Sequence, residues 1–129
     1  MNDIQQIITK LRKFRDDRDW AQFHNSKDLA LALSIEAAEL NELFLWKSAD
    51  QVDIEKLKAE LADVFSYGLL LLDKHGFDLG EIIDTKIRLN EKKYPADQVR
   101  GTAKKYTELW PLSSKTILIK LPSIRSIAH

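Results

Sequence analysis

No cysteine occurs in these 129 residues, which removes disulfides, thiolate metal sites and cysteine nucleophiles together. That fits a reducing compartment, and the cytoplasm is the expected location. Excess charge of either sign is also missing, because lysine plus arginine and aspartate plus glutamate number 20 each. The chain has no global positive field with which to hold a long nucleic acid by counterion release, so a polynucleotide partner is disfavoured. Long apolar runs are absent as well. The longest, around Gly68 to Leu72, falls far short of the roughly 20 residues that span a bilayer, and no membrane partner is expected. The segment Met1 to Arg15 interleaves Lys10, Arg12 and Lys13 with Ile4, Ile7, Ile8 and Leu11, which reads as a helix of the mature protein and not as a signal peptide.

What remains is a helical pattern. A hydrophobic content of 44% is enough for one core, and one domain is the expectation. Ile4, Ile7, Ile8, Leu11 and Phe14 follow the three-and-four spacing of an amphipathic helix over residues 2–17. Ser26 is positioned to cap a second helix, with Asp28 in its positive first turn and apolar residues from Leu29 to Trp46, ending near Lys47. Ser48 to Asp53 reads as a polar connector. Asp53 caps a third helix that runs through Leu72 and stops at Gly76. A fourth starts at Asp78, carries Leu79, Ile82, Ile83, Ile87 and Leu89, and cannot pass far beyond Tyr94 because of Pro95. Short polar turns between four helices predict an all-α, four-helix bundle-like fold. Strand signals are almost missing until Thr116 to Leu121, where TILIKL is either a short strand or an apolar tail. The expected organisation is a helical domain over residues 1–110 followed by a tail, 111–129.

Carboxylates occupy positions that this pattern reserves for apolar groups. At about 100° per residue, Glu36 projects into the stripe of Leu29, Ala32, Leu33, Leu40 and Leu43. Glu39 lies roughly 60° to one side by the same arithmetic, and Glu42 turns outward. On the third helix Glu60 falls among Leu57, Val64, Tyr67 and Leu71, with Asp63 displaced to the same side. Both helices thus repeat one geometry. Burying an ionised carboxylate costs several kcal/mol unless it is compensated, and four together repel one another, so a cation is expected beside them. Oxygen donors without histidine or cysteine favour hard Mg2+ or Mn2+, and Mg2+ commonly shares its shell with substrate phosphates. The competing reading is that lysine or arginine from another helix neutralises the acids, or that water reaches them. A di-iron carboxylate bundle would need Glu-x-x-His pairs, and the residues three before His24 and His75 are Ala21 and Leu72.

Other polar and aromatic groups have two readings each. Lys86 and Asn90 lie near the line through Leu79, Ile83 and Ile87, suited to a phosphate or a metal-bound water, or else to a snorkelling stem and an ordinary buried hydrogen bond. Trp20, Phe23, His24 and Trp46 flank the second helix, and Tyr67 follows Asp63 by one turn. Aromatics of this kind sandwich a nucleobase; more often they fill a core or an oligomer contact.

SIEAAELNELFLW (Ser34 to Trp46) followed by ELADVFSYG (Glu60 to Gly68) resembles the Glu-x-x-Glu and Glu-x-x-Asp metal motifs of MazG-like nucleoside triphosphate pyrophosphohydrolases. RDWAQFH (Arg18 to His24), KIRLNEKKYP (Lys86 to Pro95) and RGTAKKYTEL (Arg100 to Leu109) resemble segments of the dCTP pyrophosphatases within that all-α group. The likeness extends over residues 3–109 and does not reach Pro111 to His129. It implies Mg2+-dependent conversion of a nucleoside triphosphate, with dCTP or a modified dCTP first among the candidates, to the monophosphate and pyrophosphate, as in cleaning of the nucleotide pool. By motif position Glu36, Glu39, Glu60 and Asp63 would hold the metal, Trp20, His24, Trp46 and Tyr67 would surround base and sugar, and Lys86 and Asn90 would lie near the phosphates. It also implies a homotetramer or dimer assembled through helices. Two further hypotheses keep the same residues without chemistry: a metal-dependent nucleotide-binding regulator, and a structural helical oligomer.

Overall fold

The computed structural model describes residues 2–109. The expected tail at 111–129, with its candidate strand TILIKL, lies outside the described residues. Among those described the chain is all-α, with four long helices: α1 (Asp3–Asp16), α2 (Ser26–Glu42), α3 (Ile54–Lys74) and α4 (Leu79–Lys93). Single-turn helices α5 (Ala96–Val99) and α6 (Tyr106–Leu109) follow, and 3-10 turns lie at Ala21–Phe23 and Ala49–Gln51. None of the described helices is long and apolar enough to cross a membrane.

Local chemistry sets the helix ends. Asn2 and Gln5 exchange backbone and side-chain hydrogen bonds of 2.8 and 3.0 Å in a capping box that starts α1. Asn25, and not Ser26, caps α2, accepting from the Asp28 backbone N–H at 2.9 Å; Ser26 is already the first helical residue. Asp53 caps α3 as expected, accepting from the N–H groups of Glu55 and Lys56. Gly76 closes α3 in the left-handed region at φ 66°, where the Phe77 N–H returns to the Leu72 carbonyl at 3.1 Å.

The expected reach of the second helix to Lys47 is corrected. Regular α-helix stops at Glu42, and Leu43 to Lys47 continue in tighter i to i−3 turns, with Trp46 at φ 61°. Apolar residues run on through Leu45, so periodicity alone carries no stop signal there.

The chain forms two units, Met1–Leu79 and Gly80–His129. In the first, α2 packs along α3, and α1 packs against α3 as well. Arg12 and Asp73 tie α1 to α3 by a two-pronged pair, Nε donating to Oδ2 at 2.7 Å, and the guanidinium holds the Asp73 carboxyl below the usual carboxylate range. Leu29 is the most deeply buried side chain of this unit at 2% exposure, joined by Ile8, Leu70 and Leu72. Replacing Leu29 with alanine is expected to cost about 2–4 kcal/mol in urea unfolding; a loss below about 1 kcal/mol would contradict its place at the centre of the core. In the second unit α4 exposes Ile83 and Ile87, which the sequence placed on an inner stripe, and half-covers Lys86 and Asn90.

Candidate active site

The packing of α2 on α3 brings the two acidic motifs together. One oxygen from each of Glu36, Glu60 and Asp63 lies within 4.8 Å of the others, a spacing at which three ligands can share one cation. Glu36 and Glu60 are half-buried, and the Oε2 atom of each is buried without a hydrogen-bond partner among the described residues. Glu39 and Asp63 are exposed. The sequence placed all four toward the core; the roughly 60° offset instead carries the second acid of each pair to the rim.

Electrostatics mark the same spot. The Glu36 carboxyl is pushed up to about 7, first by burial, then by its hydrogen bond to Glu39 and by the charges of Glu39, Asp63 and Glu60. Burial and the charges of Glu39 and Asp63 raise Glu60 too. No lysine or arginine pairs with these four acids among the described residues, so the competing reading of internal neutralisation is not what the packing builds. Unpartnered buried oxygens and an all-oxygen donor set fit a hard divalent ion such as Mg2+ or Mn2+.

A consequence follows for stability. A carboxyl whose folded value lies above its ordinary 4.5 contributes stability that is present below about pH 4.5 and lost as pH rises through about 7. Metal-free protein should therefore melt at a lower temperature near pH 8 than near pH 5, and a saturating divalent ion should remove the difference. Melts at both pH values, with and without Mg2+, read this directly; a metal-free midpoint that rises over that interval would contradict the converging acids.

The remaining sequence candidates take varied positions. His24 follows the 3-10 turn, half-buried, with Nδ1 buried and without a hydrogen-bond partner among the described residues, and burial together with the charges of Arg15 and Lys74 lowers its pKa, favouring the neutral ring. Trp20 meets the Phe14 ring edge-on at 5.9 Å, and the Arg18 guanidinium lies over that same Phe14 ring, 3.7 Å from its centroid. Tyr67 is half-buried on α3, one turn from Asp63. Trp46 is 93% exposed. Lys86 and Asn90 belong to the second unit, where Asn90 Oδ1 is buried without a partner among the described residues.

The sequence reading missed a cavity next to the acids. About 360 Å3 in volume, it is lined by Glu39, Glu42, Leu43, Lys47, Asp53, Lys56 and Glu60. Glu42, assigned to open solvent, borders it. Lys47 sits in the turn after α2, where helical periodicity gives no direction for a side chain; Lys56 falls among the charged residues that open α3 and carries no distinctive spacing.

Three comparisons bear on this site. The MazG-like family profile matches residues 31–109, which include both acidic motifs. The chain is 37% identical to human dCTP pyrophosphatase 1 over 117 residues, covering 84% of this chain and 67% of that protein. It is 38% identical to the mouse dCTP pyrophosphatase 1 with the same coverage. A crystal structure of a pyrophosphatase from Archaeoglobus fulgidus superimposes with a TM-score of 0.66 at 37% identity, covering 74% of this chain and 94% of that one.

Proposed function

Since this chain belongs to the MazG-like family, we propose that it is a nucleoside triphosphate pyrophosphohydrolase that uses Mg2+ to split the bond between the α and β phosphates. The observation that carries the reading is the meeting of Glu36, Glu60 and Asp63 oxygens from two helices, with buried Glu36 and Glu60 oxygens that have no hydrogen-bond partner among the described residues. Glu36, Glu39, Glu60 and Asp63 would hold the ion. Once bound, Mg2+ (Mn2+ is the alternative) neutralises triphosphate charge and makes the α phosphorus more electrophilic.

The protein side chains do the rest. Glu36 and Glu60 supply inward, partly desolvated oxygens that would hold the ion. Glu39 lies on the exposed rim with a free path to water, and it is the carboxylate assigned to take the proton from the attacking water molecule. Attack forms the new P–O bond at the α phosphorus, and the electron pair of the breaking bond leaves with pyrophosphate. Trp20, His24, Trp46 and Tyr67 would receive base and sugar. An imidazole whose neutral form is favoured, together with large aromatic ring faces, suits an uncharged heterocycle. Lys86 and Asn90 are assigned to the phosphate side.

The name dCTP pyrophosphatase 1 carried by the relatives supports dCTP as the proposed substrate; a modified dCTP is the companion candidate, and clearing such nucleotides from the cytoplasmic pool is the proposed role. Residues 1–110 form the proposed hydrolase domain. A homo-oligomer, a tetramer or dimer built through helices, is supported by large apolar side chains left uncovered at i, i+4 spacing. These are Leu31 and Ile35 on α2, and Leu61 and Phe65 on α3, with Phe65 61% exposed.

Incubation of the protein with Mg2+ and dCTP, followed by chromatography of nucleotides and separate detection of pyrophosphate and orthophosphate, tests the proposal. Equal yields of dCMP and pyrophosphate are expected. Release of orthophosphate would contradict it, and tight binding without any product would favour the regulator.

A further inference from the structure

We propose that Lys47 and Lys56 form the subsite for the β and γ phosphates, gripping the pyrophosphate end of the substrate and then the pyrophosphate product. This rests on the pyrophosphohydrolase reading and adds to it the residues that would select a triphosphate. The cavity beside the acid centre shares Glu39 and Glu60 with it and extends away from it to the two lysines. A ligand anchored at the carboxylates therefore has an adjoining cleft in which its remaining phosphates meet positive charge.

The two ammonium groups are available. Neither Lys47 nor Lys56 forms an ion pair among the described residues, although Glu42 and Asp53 line the same cavity. Lys58, by contrast, pairs with Glu55 at 3.2 Å on the same helix. Asp53 is committed as the helix cap, accepting from the Glu55 and Lys56 N–H groups, and it pins the backbone from which Lys56 extends. Lys47 is placed by the left-handed turn at Trp46 and by its own N–H, which donates to the Phe44 carbonyl at 3.0 Å. Both lysines thus stand on fixed backbone while their heads are unengaged.

Charge decides what form of ligand enters. Four carboxylates and two ammonium groups line the cavity, so a bare polyphosphate meets net repulsion. A polyphosphate carrying a divalent ion does not, because the ion screens the acids and the lysines then contact the outer phosphate oxygens. Pyrophosphate binding should consequently require Mg2+. In the hydrolysis itself the electron pair moves onto the pyrophosphate, so cations on that side also favour its departure.

Calorimetric titration of Mg2+ with sodium pyrophosphate, and separately of dCMP, into wild type, Lys47→Gln, Lys56→Gln and the double variant tests the assignment. Each single change is expected to weaken pyrophosphate binding about tenfold and the double change more, while dCMP affinity holds. Lys47→Arg and Lys56→Arg should retain most of the affinity, which separates charge from folding, and circular dichroism should be unchanged throughout. Unaltered pyrophosphate affinity in the double variant, or equal loss for pyrophosphate and dCMP, would overturn the subsite. If wild-type protein releases pyrophosphate from dCTP while the double variant still binds it normally, only the lysine assignment fails. If wild type releases none, the activity itself is refuted.

Discussion

Glu60→Gln is expected to lower turnover on the order of a thousandfold while the helices stay folded. The substitution keeps the shape of the side chain and removes one negative oxygen from the place where three carboxylates lie within 4.8 Å. It therefore subtracts a metal ligand's charge with little change in packing. The raised Glu60 carboxyl adds a second, opposite expectation, because burial and the neighbouring charges of Glu39 and Asp63 work against its ionised form. A neutral amide relieves that repulsion, so the metal-free variant should melt at or above the temperature of metal-free wild type near pH 8. Loss of activity with retained or improved metal-free stability is the signature of a residue held for function. Initial rates of pyrophosphate release and paired thermal melts measure both. More than about a tenth of wild-type activity would remove Glu60 from the metal site.

Trp46→Gly should make the protein no less stable and its substrate affinity much worse. Trp46 adopts φ 61°, a region that a bulky side chain enters at a cost of about 1–3 kcal/mol, and at 93% exposure it gains almost no burial in return. Glycine tolerates that backbone, and what it loses through unfolded-state entropy is of about the size of the strain relieved, about 1 kcal/mol. A large ring held in a strained turn against solvent gains little from packing within the chain, which suits the role proposed for it as a stacking surface for a base. Base stacking on an aromatic contributes about 1–3 kcal/mol, so the KM for dCTP should rise about tenfold or more. Steady-state kinetics and urea melts decide the matter. An unchanged KM together with a fall in stability would reassign Trp46 to packing.

Much of this arrangement was legible from residue spacing, for identifiable reasons. Helices α1, α3 and α4 announce themselves through caps and breakers whose chemistry is local, such as Asp53 at the start of α3 and Gly76 and Pro95 beyond helix ends. The convergence of Glu36 and Glu60 was legible because each interrupts an apolar stripe, and two helices that pack by such stripes must bring the interruptions together. The exposure of Glu39 and Asp63 was not, since the angular rule gives a direction around one helix and not the distance to the next surface. The end of α2 was missed because Leu43, Phe44 and Leu45 prolong the apolar pattern into tighter turns. Lys47 and Lys56 were missed for a related reason: a cleft formed where a turn and a helix start come side by side leaves no period in the sequence. The exposed Ile83 and Ile87 show a further limit, because periodicity identifies an apolar face without saying which molecule covers it.

The central claim is that carboxylates of α2 and α3 form one divalent-cation centre. Crystals of the protein soaked in Mn2+ and measured for anomalous scattering test it most directly. Anomalous density is predicted within bonding distance of oxygens from Glu36, Glu39, Glu60 and Asp63, and should vanish in Glu60→Gln. Manganese held by other residues, or none bound at saturating concentration, would contradict it.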